Sequence, residues 1–251
     1  MQIVGYETGT DDPPALLIAD DGSVSTVGLD AGVELSYALG ERHCAGVLDD
    51  GAHTPCPRDA APYCDDHTYR WPCARCTGEC SLPVESCREE HAIYLAAFAP
   101  ETFKVGVTRS WRLDTRLREQ GADRAAHLRT VADGRVARQI EAEIATEIGD
   151  RVRVPTKIKG IHESVDDAAW AALLAEFDPV ETYDLAYGFD LTDRPVAETI
   201  AAGTVRGVQG RVLILDNGGS TYAVDMRDLV GYDVRSGESD RNLQSSLGAF
   251  G

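Results

Sequence analysis

Apolar positions alternate with polar ones near both ends of the chain and recur about every four residues in the middle; the stretch at 41–90 follows neither pattern. In ALLIADDGSVSTVGL two strand-like runs flank Asp-Asp-Gly-Ser, a hairpin signal, so residues 1–40 read as β. AIYLAAF reads as a short buried strand and ETFKVGVT as a second, with Pro100-Glu101 as the turn between them. SWRLDTRLREQGA predicts a helix capped by Ser110, with Leu113 and Leu117 facing inward and Gly121 ending it. HLRTVAD predicts a third strand. GRVARQIEAEIATEIGD predicts an amphipathic helix on Val136, Ile140, Ile144 and Ile148, stopped by Gly149. SVDDAAWAALLAEF predicts another helix, with Ser164 and Asp167 as its capping box. From Val180 the pattern returns to β, with Asn217-Gly218 as a hairpin turn.

The fold class that follows is α+β. The expected organisation is a β segment at 1–40, a cysteine-rich module at 41–90, an α/β unit at 91–162, a helix and C-terminal β segment at 163–236, and a disordered tail at 237–251. The N- and C-terminal strands are expected to pack together.

Charge changes the picture. The net charge is −18, which taken alone argues against a polyanionic partner. Lysine, however, occurs three times, at Lys104, Lys157 and Lys159, and arginine supplies the rest of the 24 basic residues. An acid-rich, lysine-poor surface suits concentrated salt, where the Debye length falls to ~3 Å and self-repulsion costs little. The balance is also uneven. Residues 101–160 carry 13 basic and 9 acidic side chains, a net of +4, against −22 for the remainder. Either this is a local fluctuation among solvated side chains, or it marks a site for an anionic ligand. No long apolar run predicts a membrane span, and no basic-then-apolar start predicts a secretory signal; the expected compartment is the cytoplasm.

There thiols stay reduced, so clustered cysteines suggest metal before disulfides. All seven cysteines lie between Cys44 and Cys87, in a segment too poor in apolar residues to bury a core. Seven thiols and one imidazole make two tetrahedral sets: Cys44, Cys56, Cys64 and His67, then Cys73, Cys76, Cys80 and Cys87. The expectation is two structural Zn²⁺ ions, with disulfides or an iron–sulfur cluster as alternatives and His43 and His53 as reserve ligands. Gly46 and Gly78 suit tight backbone beside the ligands. Tyr63, Tyr69, Arg70, Trp71 and Arg75 interleave aromatic and basic groups, as base stacking with phosphate contact requires, or as packing against a neighbouring domain requires.

Ala92-Ile93-Tyr94, then Lys104-Val105-Gly106 with Thr108, then Arg116 with Arg112 one turn earlier, then Glu141 in ARQIEAEI, resemble the GIY-YIG nuclease superfamily over residues 91–150. The N-terminal β segment, the cysteine-rich insert, KVGVTR…TRLREQGA and the C-terminal GYDV resemble the domain of unknown function 2797 family over most of the chain. The GIY-YIG likeness implies that Tyr94, Lys104, Arg116 and Glu141 form a phosphodiester site, with Gly106, Thr108 and Arg112 binding beside them and Mg²⁺ or Mn²⁺ on Glu141. Two departures stand out: the first motif lacks its glycine, and Lys104 replaces the second-motif tyrosine. Lysine binds phosphate but replaces a phenol as base at neutral pH only with a large pKa depression. Each residue also has an ordinary reading: Tyr94 in a core, Glu141 on a solvated helix face with Glu143 and Glu147, Arg116 paired along its helix. Lys157, Lys159 and His162 extend the phosphate surface or form an ordinary loop. The leading expectation is a zinc-containing nucleic-acid-binding protein. The alternatives are an active divalent-metal-dependent endonuclease and a zinc-knuckle module for a protein partner.

Overall fold

The computed structural model describes residues 1–10, 12–68, 76–80 and 85–237. The expectations for Tyr69, Arg70, Trp71, Cys73 and Arg75, and for the tail from 238, lie outside the described residues. In chain order the elements begin with β1 (Gln2–Glu7), β2 (Ala15–Asp20), β3 (Ser23–Gly28), β4 (Glu34–Arg42), β5 (Val47–Asp49) and β6 (Ala52–Thr54). Next come β7 (His91–Phe98), β8 (Thr102–Arg109), α1 (Leu113–Gln120), β9 (Arg124–Val131), α2 (Gly134–Ile144), α3 (Val154–Gly160), α4 (Asp167–Leu174) and β10 (Glu181–Asp184). The chain closes with β11 (Val196–Ala197), β12 (Ala201–Gln209), β13 (Val212–Asn217), β14 (Ser220–Asp225), α5 (Met226–Leu229) and β15 (Tyr232–Ser236). The class is α+β. Among the described residues no helix is long and apolar enough to cross a membrane.

The chain packs as two units. The first takes residues 1–69, 187–189 and 195–251; the second takes 70–186 and 190–194. In the first unit a sheet runs β11-β14-β13-β12-β4-β15-β1-β2-β3-β6-β5, so strands from both chain ends share one sheet. Ile3, Leu16 and Ile18 from the start meet Leu213, Leu215 and Val224 from the end in one core. The hairpin β2–β3 turns at Asp21 (φ 47°) and Gly22 (φ 83°), the left-handed pair that such a two-residue turn demands. The β13–β14 turn is Gly218-Gly219 rather than Asn217-Gly218. Asn217 still pairs with Ser220, and its side-chain amide donates to the Ala202 carbonyl at 3.0 Å.

In the second unit the sheet order is β10-β9-β7-β8. The unbroken apolar run of β7 exists because that strand is covered on both faces. Ile93, Leu95 and Ala97 join Val105, Val107 and Ala126 under Ala137 of α2 and Trp170 of α4. Ala92, Tyr94, Ala96 and Phe98 join Leu113 and Leu117 of α1 on the other face. β8 is an edge, and the Gly149 carbonyl accepts from its Val105 amide at 2.9 Å, which occupies part of that edge.

Several boundaries differ from the sequence reading. Ser110 does not cap α1; it begins a short 3₁₀ turn, Ser110–Arg112, that leads into the helix. α2 ends at Ile144, where bonds such as Thr146 N to Glu143 O tighten the following turns, and Gly149 (φ 86°) ends the run. Ala137, not Val136, carries the buried face of α2; Val136 is 43% exposed. Asp166 rather than Ser164 caps α4, accepting from the Ala169 amide at 2.7 Å. The VPTKIKG stretch is helix α3, with Pro155 in its first turn, where proline costs no hydrogen bond.

Gly106 lies directly across from Tyr94 in the β7–β8 ladder, and a Cβ there would stand 2.5 Å from the phenol ring. Gly106→Ala is therefore expected to lower stability by about 1–3 kcal/mol through overpacking. Urea unfolding checks this; an unchanged midpoint would show that the ring shifts freely.

Candidate functional site

Two groupings of polar side chains stand out, one in each unit. In the first unit Cys44 follows β4, and its amide donates to the Arg58 carbonyl at 2.8 Å. Cys64 opens a turn in which His67 N and Thr68 N both donate to the Cys64 carbonyl, at 3.0 and 2.8 Å; one turn thus presents Cys64 and His67 together. The three sulfurs and His67 Nδ1 lie within 4.8 Å of one another. Nδ1 is 3.3 Å from Cys44 Sγ and 3.4 Å from Cys64 Sγ, and Cys56 and Cys64 are 4.0 Å apart. Donors to one tetrahedral ion with ~2.3 Å bonds stand roughly 3.8 Å apart, so this cluster can hold a metal ion. Gly46 (φ 68°) passes so close to Thr54 that a Cβ would collide with its carbonyl oxygen.

The cluster's surroundings treat two of its thiols oppositely, raising the Cys56 pKa and lowering that of Cys64. Burial raises the Cys64 pKa, but the amides of His67 and Asp66 and the neighbouring thiols outweigh it and hold the group below its ordinary value. The reserve ligands are used otherwise. His53 Nε2 donates to the Ala45 carbonyl at 2.8 Å. His43 donates to the Cys56 carbonyl and meets Asp233 at 3.1 Å; burial lowers its pKa, but these contacts prevail and raise it. Both imidazoles thus bind backbone carbonyls of the cysteine-rich segment, of Cys56 and of Ala45, from outside the donor set.

The second expected set is not brought together to the same degree. Cys76, Cys80 and Cys87 are half-buried free thiols, and among the described residues they form no group as tight as the first. Cys76 Sγ accepts the Gly78 amide at 3.3 Å, a knuckle-like contact. Gly78 (φ 85°) lies against α2, where Arg135 Nε donates to its carbonyl at 3.2 Å.

Beside this loop, in the second unit, is a cavity of about 450 Å³ lined by Arg109, Arg112, Arg116, Arg135 and Arg138, together with Thr108, His91, Cys76 and Cys87. The arginines come from the end of β8, from α1 and its leading turn, and from α2. Glu89 pairs with Arg109 at 3.3 Å, Glu119 with Arg112 and Arg116 at 2.6 and 2.9 Å, and Glu141 with Arg138 at 2.7 Å. Among the described residues, five guanidiniums against three paired carboxylates leave +2, thiols not counted, in a chain whose net charge is −18. Such a concavity attracts anions and suits the planar fork of arginine to phosphate or carboxylate oxygens.

Tyr94, Lys104, Arg116 and Glu141, far apart in sequence, converge. Gln120 donates to Tyr94 Oη at 2.6 Å and accepts from Lys104 Nζ at 2.9 Å. The Arg116 charge lowers the Tyr94 pKa and, after burial, is the next largest influence depressing that of Lys104; the Glu141 charge acts on both Tyr94 and Lys104. Of the four, Arg116 lines the cavity, and the others stand behind it. Tyr94 is 1% exposed, and burial raises its pKa, so it is a neutral phenol whose hydroxyl accepts from Gln120. Lys104 is pushed down to about 8, by burial first. Glu141 is 13% exposed, unlike Glu143 and Glu147, which face solvent. Thr108 and Arg112 line the cavity, and Gly106 makes room for the Tyr94 ring. Lys157 turns inward, donating to the Gln120 carbonyl at 2.6 Å and lying over Phe98, whereas Lys159 is exposed.

Glu141 fits a resident Mg²⁺ or Mn²⁺ poorly. A hard cation takes several oxygens. Glu141 offers one carboxylate already held by Arg138, and among the described residues no group of metal-ligating side chains includes it. Sequence reasoning singled out neither Arg109, Arg135 and Arg138 nor Trp111; only the local +4 balance pointed toward the arginines.

The Lys104 amine yields a pH prediction. Its folded pKa of about 8 lies below the ordinary 10.5, so between these values the unfolded chain holds a proton that the folded chain does not. Stability therefore rises with pH across that window, and the cost of burying the charge is fully present below about pH 8. Lys104→Met is expected to be more stable than the parent by about 1–3 kcal/mol at pH 7, with the difference shrinking toward pH 10. Urea midpoints at the two pH values check it; a constant difference would contradict the depressed amine.

A model of the family described as "Protein of unknown function (DUF2797)" matches residues 39–234, a span that holds both the Cys₃His cluster and the arginine cavity. Neither the curated proteins nor the solved structures give a match. Since the family match covers well over half of its 251 residues, this chain belongs to the DUF2797 family.

Proposed function

We propose that this chain is a zinc-containing nucleic-acid-binding protein whose phosphate site is the arginine cavity of a GIY-YIG-like unit. The observation that carries this reading is the convergence of five arginines on one cavity, backed by Tyr94, Lys104 and Glu141, in a chain that is otherwise strongly acidic. Positive charge gathered against that background is what an anionic ligand needs. The acidic, lysine-poor remainder is read as an adaptation to concentrated salt, and the thiol-rich cluster as fitting a reducing cytoplasm.

Binding is favoured over hydrolysis by the state of Glu141. Its carboxylate is taken up by Arg138, which leaves no ready seat for the divalent cation a nuclease of this kind would use. What the residues supply is recognition. Arg112 and Arg116, one turn apart on one face, exchange the shared Glu119 carboxylate for phosphate oxygens, while Gln120 donates to the Arg116 carbonyl. Equilibrium binding of labelled DNA and RNA oligonucleotides, in low and molar potassium salt and with or without Mg²⁺, tests the reading. Arg116→Ala is expected to weaken binding roughly 10- to 100-fold at low salt, as loss of a charge-assisted hydrogen bond does. Arg206→Ala, in the first unit, is expected to leave it unchanged. Metal-dependent cleavage lost in Glu141→Gln would instead make the chain an endonuclease. No affinity for either nucleic acid would favour a protein-interaction module.

Zinc is proposed for both cysteine sets: Cys44, Cys56, Cys64 and His67, and Cys73, Cys76, Cys80 and Cys87. Closed thiolate-rich donor sets suit structural Zn²⁺, and binding would supply folding free energy that the segment lacks. Metal analysis of protein prepared under reducing conditions is expected to give two zinc equivalents, falling to one in Cys56→Ser with a lower melting temperature. A single equivalent that survives Cys56→Ser would contradict the assignment.

A further inference from the structure

Among the large apolar side chains that the described residues leave open, Trp111 is the one aromatic, at 68% exposure. It sits in the 3₁₀ turn Ser110–Arg112 between β8 and α1. The ring is nonetheless held. Its Nε1–H donates to Glu89 at 3.0 Å, the Arg109 guanidinium lies 4.6 Å from its centroid, and Arg112 lies 5.9 Å away. Glu89 also binds Arg109, so indole, carboxylate and guanidinium brace one another. Arg109 and Arg112 both line the arginine cavity, which places Trp111 at its rim. A large flat apolar surface, fixed in orientation and left in water beside a phosphate-attracting cavity, is already ordered for a planar partner. Little side-chain entropy remains to be lost on stacking.

We propose that Trp111 is a base-stacking platform, and that the ligand of the cavity is single-stranded nucleic acid. This rests on the phosphate reading given above. The arginines hold the backbone, and an adjacent base lies on the indole. In a duplex the bases are stacked on one another and their faces are not available, so a ring presented this way selects an unpaired nucleotide. The guanidiniums against the ring add cation–π attraction and fix its position, and 68% of its surface stays open. The two parts respond differently to salt. Phosphate contacts weaken as counterions compete, whereas stacking is nearly indifferent to ionic strength.

The test uses the intact chain and four probes: a labelled single-stranded DNA of mixed sequence, the RNA of the same sequence, the corresponding DNA duplex, and long-chain inorganic polyphosphate as a polyanion without bases. Trp111→Ala is expected to weaken both single strands roughly 5- to 100-fold, while polyphosphate affinity stays within about twofold. Trp111→Phe is expected to recover most of the loss, since the ring is kept and only the N–H is removed. The Trp111→Ala factor is expected to hold as salt rises while the Arg116→Ala factor shrinks. A loss in both DNA and RNA assigns recognition to the base; a loss confined to one adds a contact to its sugar, and either supports the platform. Unchanged single-strand affinity in Trp111→Ala, with Arg116→Ala still impaired, would overturn the platform and leave the phosphate site standing. An equal loss for the duplex would overturn single-strand selection. Failure of the parent protein to bind any of the four probes would remove the phosphate site and the platform together.

Discussion

The contact on which the second unit's chemistry depends is the buried Tyr94 ring against Gly106, with its hydroxyl accepting from Gln120 at 2.6 Å. It exists because residue 106 has no side chain. Gly106 leaves the space that the phenol fills, Gln120 ties that phenol to Lys104, and Leu113 and Leu117 hold α1 over the same face. A strand buried on both faces provides the rigid base. From it, arginines on β8, α1 and α2 reach one cavity, and three carboxylates neutralise part of their mutual repulsion while leaving a positive excess. That partial neutralisation is what makes the grouping tolerable without a ligand.

The first unit meets a different constraint. Residues between β4 and the end of the Cys64–His67 turn have little apolar surface to bury. They are ordered by backbone hydrogen bonds and by three buried thiols meeting one imidazole. Three sulfurs and an imidazole packed this closely form a donor set that could hold a metal ion, and binding one would couple to folding. His43 and His53 stay outside the donor set, one on the Cys56 carbonyl and the other on the Ala45 carbonyl.

Much of this was legible in the sequence where a local rule was strong. The spacing of Cys44, Cys56, Cys64 and His67 predicted a cluster, and Asp-Asp-Gly-Ser predicted a hairpin; both depend on chemistry confined to a few residues. The run AIYLAAF revealed a strand because full burial erases alternation. Helix ends were less legible. Ser110 has the right side chain for a cap, but the chain spends a 3₁₀ turn before α1 begins, and Ala137 displaces Val136 because tertiary packing, not periodicity, sets the buried stripe. The arginine cavity was nearly invisible: Arg109, Arg135 and Arg138 are ordinary surface residues in one dimension, and only the pairing of β7 with β8 and the approach of α2 bring them together. Trp111 was hidden for the opposite reason. A tryptophan in an amphipathic stretch is read as core, and nothing local says that this one faces water.

The central claim is that the cavity's excess charge meets phosphates, and the salt dependence of binding tests it most directly. For a single-stranded oligonucleotide, each phosphate neutralised contributes about −0.7 to the slope of log K against log salt concentration. Two to five contacts through the five arginines predict a slope of about −1.5 to −3.5, reduced by about one contact in Arg116→Ala. A slope near zero, or one that Arg116→Ala leaves unchanged, would mean that whatever this chain binds, it does not hold it by phosphates in this cavity.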